Sequence, residues 1–202
     1  MSNYKTVFFI LGVLQIILGL SMIVPIIAQF YYNQVDSGFI GSGLVSIIFG
    51  VLFFLSNLDY EKKLTLPQAF LLTALSWLSI AIFGSLPFVF SDLSLSFTNA
   101  FFESMSGITT TGSTILTNLN ETPKAILLWR AMLQWLGGIG IIVMAITLMP
   151  IMNIGGMQLF VISNTHTPEK ILPKSKEISI RLIAIYSSLT LVCAFFYKIF
   201  GM

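Results

Sequence analysis

Thr109-Thr110-Thr111-Gly112-Ser113-Thr114 is a run of hydroxyl side chains around one glycine. Residues of this kind suit one chemistry. An extended polar strand can turn successive backbone carbonyls, and a Thr hydroxyl, toward a dehydrated cation. Gly112 supplies the backbone freedom such a strand needs, φ > 0 included. No covalent chemistry competes with this reading: there is no carboxylate pair, no Ser/His/Asp set and no phosphate loop. The sequence is therefore read as having no catalytic residues and not as an enzyme. The single cysteine, Cys193, excludes an internal disulfide and a Cys-based metal cluster. The single histidine, His166, has no second His or Cys nearby to share a metal.

Something must position that strand. Phe97 to about Ser106 reads as a short helix, far short of the about 20 apolar residues a crossing takes. Ser94 or Ser96 is its N-cap. If the helix points toward the strand, its negative C-terminal end faces the cation path. Helix and strand lie between two segments long enough to span, which is the plan of an ion-channel pore loop.

Composition agrees. The chain has 202 residues, 56% hydrophobic and 9% charged, with mean hydropathy +0.93. Soluble domains carry about 25% charged residues, so this is an all-α integral membrane protein in a lipid bilayer. A net charge of +2 gives no reason to expect nucleic acid. Five apolar runs are read as crossings: Val7–Ile27, Phe39–Leu55, Leu66–Phe90, Ala125–Pro150 and Leu182–Phe200. Pro25 marks a kink or exit, Pro67 a first turn, and Pro87 a helix end. Gly41, Gly43 and Gly50 have the spacing that allows close helix approach. Gly137, Gly138 and Gly140 suggest packing on the short helix, with a gating hinge as the second reading. Ile151–Ile180 reads as a polar loop. The first run is too long for a signal-peptide core, and no small-residue cleavage site follows it. Lys5, Lys62, Lys63, Lys170, Lys174, Lys176 and Arg181 fall on one side, and Lys124, Arg130 and Lys198 on the other. This places the N-terminus in the cytoplasm, and the short helix enters from outside.

The runs FFESMSGITTTGST, WRAMLQWLGGIGIIV and MPIMNIGGMQLF together resemble the first pore repeat of the Trk/Ktr/HKT superfamily of potassium transporters. The two helices ahead of the repeat resemble the bacterial Trk-type membrane subunit, TrkH. The resemblance implies a fold of four non-identical helix–pore-loop–helix repeats around a pseudo-fourfold pore. Here residues 1–60 would be two leading transmembrane helices and 61–154 the first repeat. Residues 155–202 would be a cytoplasmic loop and the first helix of an incomplete second repeat. The family's filter falls on Thr110, Thr111, Gly112, Ser113 and Thr114, with potassium held at Thr110, Thr111, Gly112 and Ser113. Ser113 and Thr114 replace the tyrosine and second glycine of potassium channels, which implies looser selectivity. Potassium uptake across the cell inner membrane is the implied function, with potassium as the transported ion and no cofactor. The implied partners are a cytosolic nucleotide-binding RCK-type regulatory subunit and a second copy in a homodimer of the full-length form. Family chains are more than twice this length. The alternative is therefore a truncated, non-conducting membrane subunit that needs other chains.

Glu103 and Arg130 are charges at membrane depth, where charges are paired or face water. Three readings stand. They brace the short helix against the next crossing, or Glu103 faces the outer vestibule, or Arg130 snorkels outward. Asn99 shares a helix face with Glu103 and is read as support behind the filter. Asp92 and Glu121 flank the loop as solvated charges. Trp129 and Trp135 are read as anchors facing lipid or the short helix. Lys170, Lys174 and Lys176 either touch the cytosolic partner or simply mark the inner side. The sequon Asn120-Glu121-Thr122 is read as chance.

Overall fold

In lipid a chain must satisfy its own backbone polar groups, so long uncharged runs fold as helices. The protein, seen in a computed structural model, is described for residues 4–34, 36–60, 64–152 and 171–201. Among these there is no strand. The helices are α1 (Lys5–Ser21), α2 (Ile23–Tyr31), α3 (Gly38–Ser56), α4 (Leu66–Phe90), α5 (Phe97–Ile108), α6 (Lys124–Met152) and α7 (Ile171–Ile199). Among the described residues five stretches are long and apolar enough to cross a membrane: Lys5–Tyr31, Gly38–Ser56, Leu66–Phe90, Lys124–Ile142 and Glu177–Ile199. Each overlaps one of the five runs read from the sequence. The chain forms two compact units, Met1–Gly138 and Ile139–Met202.

In the first unit α1 and α3 touch backbone to backbone. A Cβ on Gly12 would lie 2.6 Å from Phe54 N and 2.7 Å from Gly50 O. A Cβ on Gly50 would lie 2.8 Å from Ile16 N. Between helices in lipid, such close contact supplies the association that the hydrophobic effect supplies in water. Gly50→Leu is expected to force α1 and α3 apart and to cost about 1–3 kcal/mol, the usual penalty for overpacking. Thermal unfolding in detergent checks this. An unchanged midpoint would mean that the pair is not tight.

Proline chemistry sets two boundaries. Pro25 has no N–H for the Ser21 carbonyl, and the first crossing breaks at Met22, between α1 and α2. Pro87 lies in the last turn of α4, which ends at Phe90 as the third apolar run does. At the start of α4, Gln68 Oε1 accepts from Thr65 N at 2.9 Å, and Pro67 sits in the first turn.

The core gathers where α5 is enclosed. It includes Leu18, Met22, Phe39, Phe88, Ile126, Trp129 and Leu133 from the crossings and Ala100 from the short helix itself. Trp129 faces neither lipid nor water: it is fully buried. Its Nε1 donates to Gly84 O on α4 at 2.9 Å, and its ring meets Phe39 edge-on. A buried indole must place its N–H on an acceptor, here the Gly84 carbonyl. At one end of this unit Asp36 accepts from Gly38 N (2.8 Å) and Asp92 N (3.2 Å), and Gln34 Oε1 accepts from Lys124 N (3.1 Å). The connector after α2 thus ties down those leading into α5 and α6.

In the second unit α7 begins at Ile171 and not at Leu182. Lys174, Lys176 and Arg181 therefore lie on a helix rather than in a loop. Lys62, Lys63, His166 and Lys170 lie outside the described residues.

Candidate functional site: a pore-loop strand folded onto a half-length helix

Helix α5 starts at Ser96, whose Oγ accepts from Asn99 N at 3.4 Å. Of the two candidate caps it is Ser96, since Ser94 sits outside the helix with φ 43°. The helix stops at Ile108, and the following strand donates back to it. Thr109 N donates to Met105 O (2.9 Å), Thr110 N to Gly107 O (2.9 Å), Thr111 N to Ser106 O (3.1 Å) and Gly112 N to Ser106 O (3.4 Å). The orphan carbonyls of the helix end thus absorb the amides of the strand. The N–H groups of Thr110, Thr111 and Gly112 are turned toward the helix.

This reversal needs left-handed backbone at two places. Gly112 has φ 80°, which glycine tolerates. Thr110 has φ 58°, which is strained for a β-branched residue. Nothing in the sequence marked Thr110 as the second such residue. A Cβ on Gly112 would have room, its nearest neighbour being Gln134 Nε2 at 3.6 Å. Gly112→Ala is therefore expected to cost about 1–2 kcal/mol from backbone conformation alone, read as a lower unfolding midpoint. A loss well above that would point to a steric cause.

The back of the strand is held by two charges. Glu103 is fully buried, and Arg130 is 15% exposed. Arg130 Nε donates to Glu103 Oε2 at 2.8 Å. The other carboxylate oxygen, Oε1, accepts from the Thr114 hydroxyl and from Ile115 N (2.6 Å). Arg130 Nη2 reaches on to Gly112 O (2.9 Å) and Ser113 O (3.2 Å), and Ser106 Oγ also donates to Ser113 O (2.6 Å). The bracing arrangement is the one present. Glu103 does not face a vestibule, and Arg130 does not snorkel.

The other sequence-selected residues sort clearly. Asn99 is exposed, and its side chain makes no hydrogen bond among the described residues, so it is not brought to Glu103. The Thr111 hydroxyl pairs with that of Thr109 at 2.8 Å. No donor among the described residues reaches the Thr110 or Thr111 carbonyl. Gly137 packs on the helix end, because a Cβ there would lie 1.9 Å from Ile108 O. Ser106, the acceptor of two strand amides and the donor to Ser113, was not singled out in the sequence. A small polar residue at the last turn of a short helix was the only available signal.

A family model described as TrkH, cation transport protein, matches residues 5–202. The chain belongs to the TrkH family. Trk system potassium uptake protein TrkI of Halomonas elongata is 38% identical over 194 residues, 96% of this chain and 39% of that protein. Trk system potassium uptake protein TrkH of Vibrio parahaemolyticus is 36% identical over 204 residues, 99% of this chain and 42% of that one. The crystal structure of the potassium transporter TrkH from Vibrio parahaemolyticus matches with a TM-score of 0.86 at 34% identity, over 100% of this chain and 40% of that one. This TrkH-family chain therefore spans about 40% of the length of that transporter.

Proposed function

We propose that this chain supplies one pore-loop quadrant of a membrane system that takes up potassium. The dehydrated ion passes along the backbone of Thr110, Thr111, Gly112, Ser113 and Thr114. The Thr110 hydroxyl is an added ligand, and Glu103 and Arg130 support the strand from behind. Asn99 belongs to the pore helix, on the face left open here. The observation that carries this reading is the strand itself: the amides of Thr110, Thr111 and Gly112 are spent on α5, and the Thr110 and Thr111 carbonyls meet no donor among the described residues. The relatives' names, Trk system potassium uptake proteins, point the same way. The work is passage of an ion, not catalysis, and needs no cofactor.

The finer readings belong with this proposal. The system sits in the cell inner membrane with its N-terminus in the cytoplasm, as the lysine and arginine distribution suggests. Residues 1–60 act as leading helices, 61–154 as the first repeat, and 155–202 as the start of a second. A cytosolic RCK-type subunit regulates the assembly, and the full-length form is a homodimer. A second reading rests on the share of the relatives covered: the chain conducts only when other chains complete the ring.

Tracer potassium uptake into liposomes holding the purified 202-residue chain, beside Gly112→Asp, separates the two. Uptake abolished by the substitution supports a pore formed by copies of this chain. Uptake only after a longer Trk protein is added supports the second reading. No cation flux in either setting would sink the transport proposal.

A further inference from the structure

We infer that Arg130 is a positioning residue that sets ion preference by withholding filter carbonyls, beyond its role as a brace; this rests on the proposed cation path. The carbonyls of Thr110, Thr111, Gly112 and Ser113 line the proposed cation path. They are not alike in the folded chain. Those of Thr110 and Thr111 have no donor among the described residues, whereas Gly112 O and Ser113 O both accept from Arg130 Nη2. A carbonyl bound to a guanidinium has its negative end partly neutralised, and charge-assisted bonds of this kind are the strong ones. This quadrant therefore offers a cation two strong carbonyls followed by two weakened ones.

Discrimination among cations depends on the number, field strength and rigidity of the carbonyls around them. Freeing Gly112 O raises its field strength and loosens the strand. A stronger field favours the smaller, more strongly hydrated ion, and a looser strand can close around it. Both effects move preference from potassium toward sodium. Ser113 O changes less, because Ser106 Oγ still donates to it.

Removing Arg130 alone would leave Glu103 buried and charged, so the test uses the pair Glu103→Gln/Arg130→Met, with Arg130→Lys as the conservative variant. Each protein is reconstituted in its natural assembly, and potassium and sodium flux are measured on the same liposomes. The potassium-to-sodium ratio is expected to fall roughly fivefold in the double variant, about the worth of one hydrogen bond. Arg130→Lys should fall between it and the unsubstituted protein. The unfolding midpoints in potassium and in sodium read the same preference when flux is small. An unchanged ratio by both measures would overturn the inference, leaving Arg130 a brace and the transport reading intact. No flux through the unsubstituted protein would overturn the transport reading, and this inference with it.

Discussion

Arg130→Gln is expected to abolish cation uptake and to lower stability by about 3–5 kcal/mol, the cost of leaving a buried charge without its partner. Glu103 has no exposed surface, and Arg130 supplies its only countercharge among the described residues. The same substitution removes the donor to Gly112 O and Ser113 O. Glu103→Gln should be milder. Its amide oxygen can still accept from Thr114 and Ile115, but its NH2 group then faces Arg130 Nε, donor against donor. Because one carboxylate ties α5 to α6 and to the returning strand, the two losses should not add. In a double-mutant cycle read by thermal unfolding, Glu103→Gln/Arg130→Met should be less destabilised than the sum of Glu103→Gln and Arg130→Met measured singly. Additivity to within about 0.5 kcal/mol would show that the ion pair carries no coupling.

Gly137→Ala should be a severely damaging single-methyl change. The new Cβ would sit 1.9 Å from Ile108 O, 2.7 Å from Ile108 C and 3.1 Å from Ile108 Cα. All three are backbone atoms at the α5 terminus, so no rotamer change relieves the clash. Either α6 moves away or the helix end that holds the strand amides moves with it. A loss at or above the upper end of the about 1–3 kcal/mol overpacking range is expected, with uptake lost as well. Gly107→Ala provides the internal comparison. Its Cβ would meet Leu133 Cβ at 3.1 Å, and a leucine can yield by a few tenths of an ångström. Expression and unfolding midpoints of the two variants check the order. If Gly107→Ala proved the worse, the α5–α6 contact would not be as close as described.

Much of this protein was legible as sequence, and the reasons are physical. A membrane helix must be long, apolar and self-satisfied, so the five crossings could be found by counting. A short helix followed by a Thr-Gly run between two crossings has few other uses, so the strand was found too. Errors came where a residue's role depends on its neighbours in space. Of the two readings of Trp129 the lipid-facing one failed, because the ring is fully buried and its acceptor, Gly84 O, lies 45 residues away in sequence. The start of α7 was missed because Lys174, Lys176 and Arg181 make its first turns look like loop.

The sequence by itself determined the class of fold, the order of its elements, the place of the strand and the need for a partner to each buried charge. All of these follow from local composition and from the intolerance of lipid for unpaired polar groups. Only the tertiary structure decided which charge pairs with which, which of the three glycines in α6 meets the helix end, and which filter carbonyls Arg130 engages. Those choices depend on distances between residues that the chain brings together only after α5 has folded back between its neighbours. Residue type and spacing do not encode them singly.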